Sequence, residues 1–183
     1  MEHTTTTNIK ETNSWDKLLY PHLWATSRGS YYGVISQEQM DEECFYIARR
    51  AVAAFKFPKI STDYKVVYMR KVGGVLTEVD ESDERFDEAI PHAYFYNDLT
   101  YDEIEVILAW MKVYWCEYQL SNADNFEDIY TDANIKTYSR ANLVDKNLKL
   151  LKEYREYARD LENSYSRVTS ARKPSLGDVN SDE

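Results

Sequence analysis

The stretch from Thr100 to Leu120 constrains this chain more than any other, because its pattern is helical and it is apolar on two sides. Thr100 with Glu103 three residues later is a capping-box pattern ahead of an apolar run, and it predicts a helix to about Leu120. One face carries Ile104, Ile107, Leu108, Met111, Trp115 and Tyr118, and the opposite side carries Val106, Trp110, Val113 and Tyr114. Little of this surface suits water, so both sides need cover. A chain of 183 residues has material for one domain and not for two comfortable ones. With so little to spend on both sides, Val106, Trp110, Val113 and Tyr114 become the candidate subunit interface, a first pointer to a homo-oligomer.

The remaining pattern gives a mainly α (α+β) fold, a helical bundle built on two long helices with a small antiparallel β insertion at about 62–97. Trp15, Leu18, Leu19 and Leu23 have helical spacing, and Pro21 is expected to end or bend that short segment. Ser36 reads as an N-cap, with acidic residues after it, and the helix it opens is expected to reach about Phe55 through Met40, Cys44, Ile47, Ala48, Ala51 and Val52. Tyr64, Val66, Val67, Tyr68 and Val72 are β-branched or aromatic; Gly73-Gly74 signals a turn, and Val75 to Val79 runs back as a hairpin. Glu81 to Glu88 is a charged connector, and His92 to Asn97 reads as a third strand against Tyr64 to Met69. Asn125 to Tyr130 is expected to form a short helical turn and Thr131 to Ile135 a connector. A second long helix follows, from about Tyr138 to Val168, about 45 Å at 1.5 Å per residue. Leu143, Val144, Leu148, Leu151, Tyr154, Ala158, Leu161, Tyr165 and Val168 form its apolar stripe, with Arg155 and Glu162 where a strict heptad would want hydrophobes. Residues 1–13 and 169–183 are polar and are expected to be a flexible arm and tail around a 14–168 domain.

Composition narrows the chemistry. A formal net charge of −10 repels nucleic acid and anionic lipid, and the richest apolar run is interrupted by Glu105, Lys112 and Glu117, so neither a membrane nor specific DNA binding is expected. The first residues lack a signal-peptide core, which predicts a soluble protein made in the cytoplasm. Sixteen tyrosines and four tryptophans against five glycines suit surfaces that become interfaces. Cys44 and Cys116 lie in apolar helical patterns, as buried reduced thiols. His3, His22 and His92 are scattered without metal spacing, Gly73-Gly74 lacks the rest of a phosphate loop, and Asp124 to Asp128 lacks the glycine and spacing of a calcium loop. No catalytic residue, metal ligand or cofactor is expected, and the chain reads as a non-enzyme.

Several segments taken together resemble a known family. These are Phe55-Lys56-Phe57-Pro58-Lys59-Ile60-Ser61; Tyr94-Phe95; Asn97 to Thr100 leading into Glu103 to Lys112 and Trp115; Tyr138 to Asn142 with Leu143, Lys146, Leu148, Leu151 and Arg155; and Tyr165-Ser166-Arg167. Over roughly Ser36 to Val168 they resemble neck proteins of tailed bacteriophages, the head-to-tail adaptors (connectors). The resemblance implies a structural virion protein at the portal vertex, made in the host cytoplasm, that forms a twelve-fold ring beneath the portal. Its partners would be copies of itself, the portal protein and a tail or second neck protein, with DNA passing through a central channel at genome ejection. Arg167, Arg172 and Lys173 are the candidate residues for docking on the portal or tail. The alternative is an acidic helical interaction or inhibitor protein that binds a basic partner.

Overall fold

The computed structural model describes residues 11–26, 36–121 and 140–171 of the chain. The expected turn at Asn125 to Tyr130, the connector after it, residues 1–10 of the arm and residues 172–183 of the tail lie outside those described.

Two short helices come first, α1 (Trp15–Leu18) and α2 (Tyr20–Thr26). The helical segment breaks at Leu19, as Pro21 leads one to expect, and Pro21 itself sits in the first turn of α2, where a missing N–H and a fixed φ are no loss. Trp15 is fully buried, and its ring meets Phe45, Tyr64 and Phe95 at centroid distances of 5.8, 4.6 and 5.4 Å. One indole thus joins the N-terminal segment, a helix and the sheet.

Helix α3 (Gln37–Ala54) opens on a complete capping box, with Ser36 Oγ accepting from the Gln39 backbone and the Gln39 side chain accepting from the Ser36 backbone. Phe55, expected as its last residue, caps it. Cys44, Phe45, Ile47, Ala48, Ala51 and Val52 are buried. Then come β1 (Tyr64–Val72), β2 (Val75–Val79) and β3 (Ile90–Phe95), antiparallel in the order β2-β1-β3. Gly73 and Gly74 have φ of 59° and 89°, the left-handed pair a two-residue turn between Val72 and Val75 requires. Strand β3 pairs with β1 from Tyr64↔Phe95 to Met69↔Ile90, as expected, but begins two residues earlier than His92, at Ile90-Pro91. An edge strand tolerates that proline.

Helix α4 (Tyr101–Ser121) and helix α5 (Arg140–Ala171) complete the described fold, which is mainly helical with one small antiparallel sheet. Two buried clusters divide α4 between them. Val106, Ile107 and Met111 join Trp15, α3 and β3, while Ala109, Val113 and Cys116 join Leu151 and Ala158 of α5. The chain therefore covers both sides of α4 itself. Helix α5 runs past Val168 to Ala171, and Leu148, expected in its apolar stripe, is half exposed. Among the described residues no helix is long and apolar enough to cross a membrane.

Candidate assembly surfaces

Between α3 and β1 the chain crosses the helices as an irregular strap, residues 55–61. Such a segment leaves backbone N–H groups without helix or sheet partners, and those groups need acceptors. Two buried carboxylates supply them. Glu162 on α5, 6% exposed, accepts from the Lys56 backbone N–H at 2.8 Å and from Trp110 Nε1 at 3.2 Å. Glu103 on α4, 1% exposed, accepts from Ile60 N at 2.9 Å and Tyr165 Oη at 2.8 Å on one oxygen. Its other oxygen accepts from Thr100 N and Thr100 Oγ1, at 2.9 and 2.8 Å. Tyr165 Oη in turn accepts from Lys59 N at 3.0 Å.

The capping glutamate is thus also a clasp. Burial alone would raise the Glu103 carboxyl, but the hydrogen bonds from Ile60, Thr100 and Tyr165 outweigh it and hold its pKa below the ordinary value. Tyr165 is pushed up to about 12, by burial first and by donation to Glu103 second. Both shifts describe a carboxylate that stays ionised and a phenol that stays protonated, which suits a fixed structural joint. The clasp leaves Phe57, 63% exposed, between exposed Lys56 and Lys59.

The hairpin beyond Met69 is the opposite case. Val75 is 67% exposed, Leu76 51% and Val72 46%, and Thr77 and Glu78 are exposed too. Successive strand residues face opposite ways, so Val75 and Leu76 make the tip apolar on both faces. Residues of α1, α2, α4 and α5 line an open groove of about 460 Å3. Leu23 and Ala109 lie at its base with Leu18, Ile104 and Leu108 beside them, and Tyr101 and Tyr157, both largely exposed, stand at its rim. Lys17, His22 and Lys112 line it as well, against one carboxylate, Glu105.

The four residues expected at a subunit interface are already engaged inside the chain. Val106 and Val113 are fully buried in the two clusters and offer no surface to a neighbour. Trp110 stacks on Tyr114 at 6.2 Å and donates to Glu162, while Arg50 lies 4.2 Å over the Tyr114 ring. Arg50 and Arg155 both bind Glu117, at 2.8 and 2.6 Å, and close that side. Arg167 is exposed near the end of α5; Arg172 and Lys173 lie outside the described residues. Cys44 and Cys116 are buried free thiols, and burial together with Glu117 pushes Cys116 up to about 11, away from thiolate reactivity. Among the described residues no group of three or more His, Cys, Asp or Glu is placed to hold a metal ion.

Sequence pattern carried two signals for the clasp without joining them: Glu103 as a capping residue and Glu162 as a charge at a core position of α5. The tip and groove had weaker signals, since Val75 and Leu76 read only as strand residues and Tyr101 and Tyr157 carried no reading of their own. No protein-family model matches the chain, and no curated protein or solved structure is significantly similar to it.

Proposed function

We propose that the chain is a structural virion protein of the tailed-bacteriophage neck, an adaptor ring that joins portal to tail and leaves a channel for DNA. On this reading a helical bundle built on α4 and α5 is the body of each subunit, and the virion's portal vertex is its place of action. It is made in the host cytoplasm and acts without a catalytic step or cofactor.

The observation that carries the reading is a pair of separate apolar surfaces, the hairpin tip and the aromatic-rimmed groove, on a chain whose described residues already bury both sides of α4. Exposed apolar surface of that kind marks a site of protein contact. Two unlike surfaces on one chain suit head-to-tail contacts, which close into rings. The net charge of −10 suits a conduit, because a lumen that repels phosphates lets DNA slide. Arg167, Arg172 and Lys173 are the residues proposed to dock the ring on the portal or tail.

Size-exclusion chromatography with light scattering, and negative-stain imaging with portal-containing heads, test the reading. Rings, or protein retained at the portal vertex, are the expected result. A chain that stays monomeric and ignores the heads would overturn it. A second reading, an acidic protein that binds a basic partner, is favoured by the exposed carboxylates Glu78, Asp80, Glu81 and Glu84. It predicts a monomer captured by a basic protein in a salt-dependent manner.

A further inference from the structure

We propose that the tip of the β1–β2 hairpin of one copy seats in the α1/α2/α4/α5 groove of the next copy, so that each subunit gives a tip and receives one. The inference deepens the self-assembly part of the proposed function and rests on it.

The apolar residues of the tip, Val72, Val75 and Leu76, are about half exposed or more. Val75 and Leu76 point to opposite faces of the ribbon, so a helix laid against one face would still leave the other bare. A hairpin that is apolar on both faces suits insertion between two walls. The groove supplies those walls, with Leu18 of α1 on one side and Ile104 and Leu108 of α4 on the other. Its size agrees as well. A leucine-sized void is on the order of 150 Å3, so a groove of about 460 Å3 accepts about three aliphatic side chains. Val72, Val75 and Leu76 are three.

Charge selects this occupant over an arbitrary apolar peptide. Lys17 and Lys112 stand against Glu105 around the groove. The return of the hairpin carries exposed Asp80, Glu81 and Glu84 against Lys71 and Arg85, while Glu78 is paired with Lys65 at 3.9 Å and Asp83 with Arg70 at 2.9 Å. An acidic ribbon base therefore meets a basic groove when the apolar tip enters, which steers the approach and fixes its direction. Tip and groove lie on different elements, so the contact repeats head to tail from copy to copy until a ring closes; a wild type that stops at a dimer by exchanging tips reciprocally would overturn that arrangement. Pairing of two β2 edges would instead give a closed dimer, and the experiment separates the two.

The experiment uses two variants of the full chain, one at each surface. Val75→Asp with Leu76→Asp alters only exposed side chains. Tyr101→Asp with Tyr157→Asp does the same at the rim, and an acid at Tyr101 suits the first turn of α4. Light scattering follows each alone and both mixed, free and on portal-containing heads. Each variant alone is expected to lose ring formation, with subunit affinity reduced on the order of thirtyfold or more, as for a lost interface anchor. The equimolar mixture is expected to give a one-to-one heterodimer and nothing larger, because only one sound tip and one sound groove remain. In parallel, mixing Leu76→Cys with Tyr157→Cys under oxidation is expected to give a covalent heterodimer, while each alone stays single.

Wild-type rings that persist in either variant, a mixture that stays monomeric, or Leu76→Cys that cross-links to itself would each overturn the inference while leaving the adaptor reading in place. Wild-type protein that assembles neither free nor on heads would overturn both.

Discussion

The strap at residues 55–61 and the hairpin at Tyr64–Val79 are neighbours in sequence and opposites in construction. The strap has no regular structure, yet its backbone is tied down by two buried carboxylates and a phenol from helices far along the chain. The hairpin has regular structure, yet from Val72 to Glu78 every residue of it is exposed. Order and burial are therefore separable. The strap is where the fold holds itself together, and the hairpin is where it has surface to give away.

That contrast predicts very unequal responses to substitution. Glu103→Ala should be the most damaging, because it strips Ile60 N, Tyr165 Oη and the Thr100 cap of their acceptor at one stroke; a loss of about 3 kcal/mol or more is expected. Urea unfolding would check it, and a loss under about 1 kcal/mol would mean the strap does not depend on the clasp. Glu162→Ala removes the acceptor from Lys56 N and Trp110 Nε1 only, so about 2 kcal/mol should be lost by the same measurement.

Acid should loosen the same joint. The folded-state pKa of Glu103 lies below its reference value of 4.5, so the stability it contributes is complete above about pH 4.5 and drains away as pH falls through the folded value. Thermal midpoints of wild type and Glu103→Gln should therefore converge on acidification from about pH 6 to about pH 3. A gap that stays constant would show that ionisation of Glu103 is irrelevant to stability. The smallest effect belongs to the hairpin, where Val75→Ser should change unfolding free energy by less than about 0.5 kcal/mol. A larger loss would show that the tip packs within its own fold.

How much of this was legible in the sequence differs by kind of interaction. Local signals were readable: the Thr100–Glu103 cap, the Ser36 cap and the Gly73-Gly74 turn depend on residues a few positions apart, and the structure holds them as read. Of the long-range ones, the pairing of β3 with β1 was readable, and the packing of the helices was not. Pattern gave α4 two apolar sides but not their cover, so Val106 and Val113 read as an interface when α3, β3 and α5 of the same chain bury them. The clasp was invisible for the same reason, because no local rule says that a helix-capping glutamate will also receive a tyrosine 62 residues later. Leu148 shows the converse error, an apolar residue at helical spacing that its helix turns half toward solvent.

The clasp also has a consequence in time. Lys56 and its acceptor Glu162 are 106 residues apart, as are Lys59 and Tyr165. At about 5 to 20 residues per second a ribosome needs roughly 5 to 20 s to travel that distance. Throughout that interval α3, the strap and the sheet exist without the helix that locks them. The nascent chain cannot fasten its middle until α5 has emerged, so the emergence of α5 is itself the latch that turns a loose chain into a folded one.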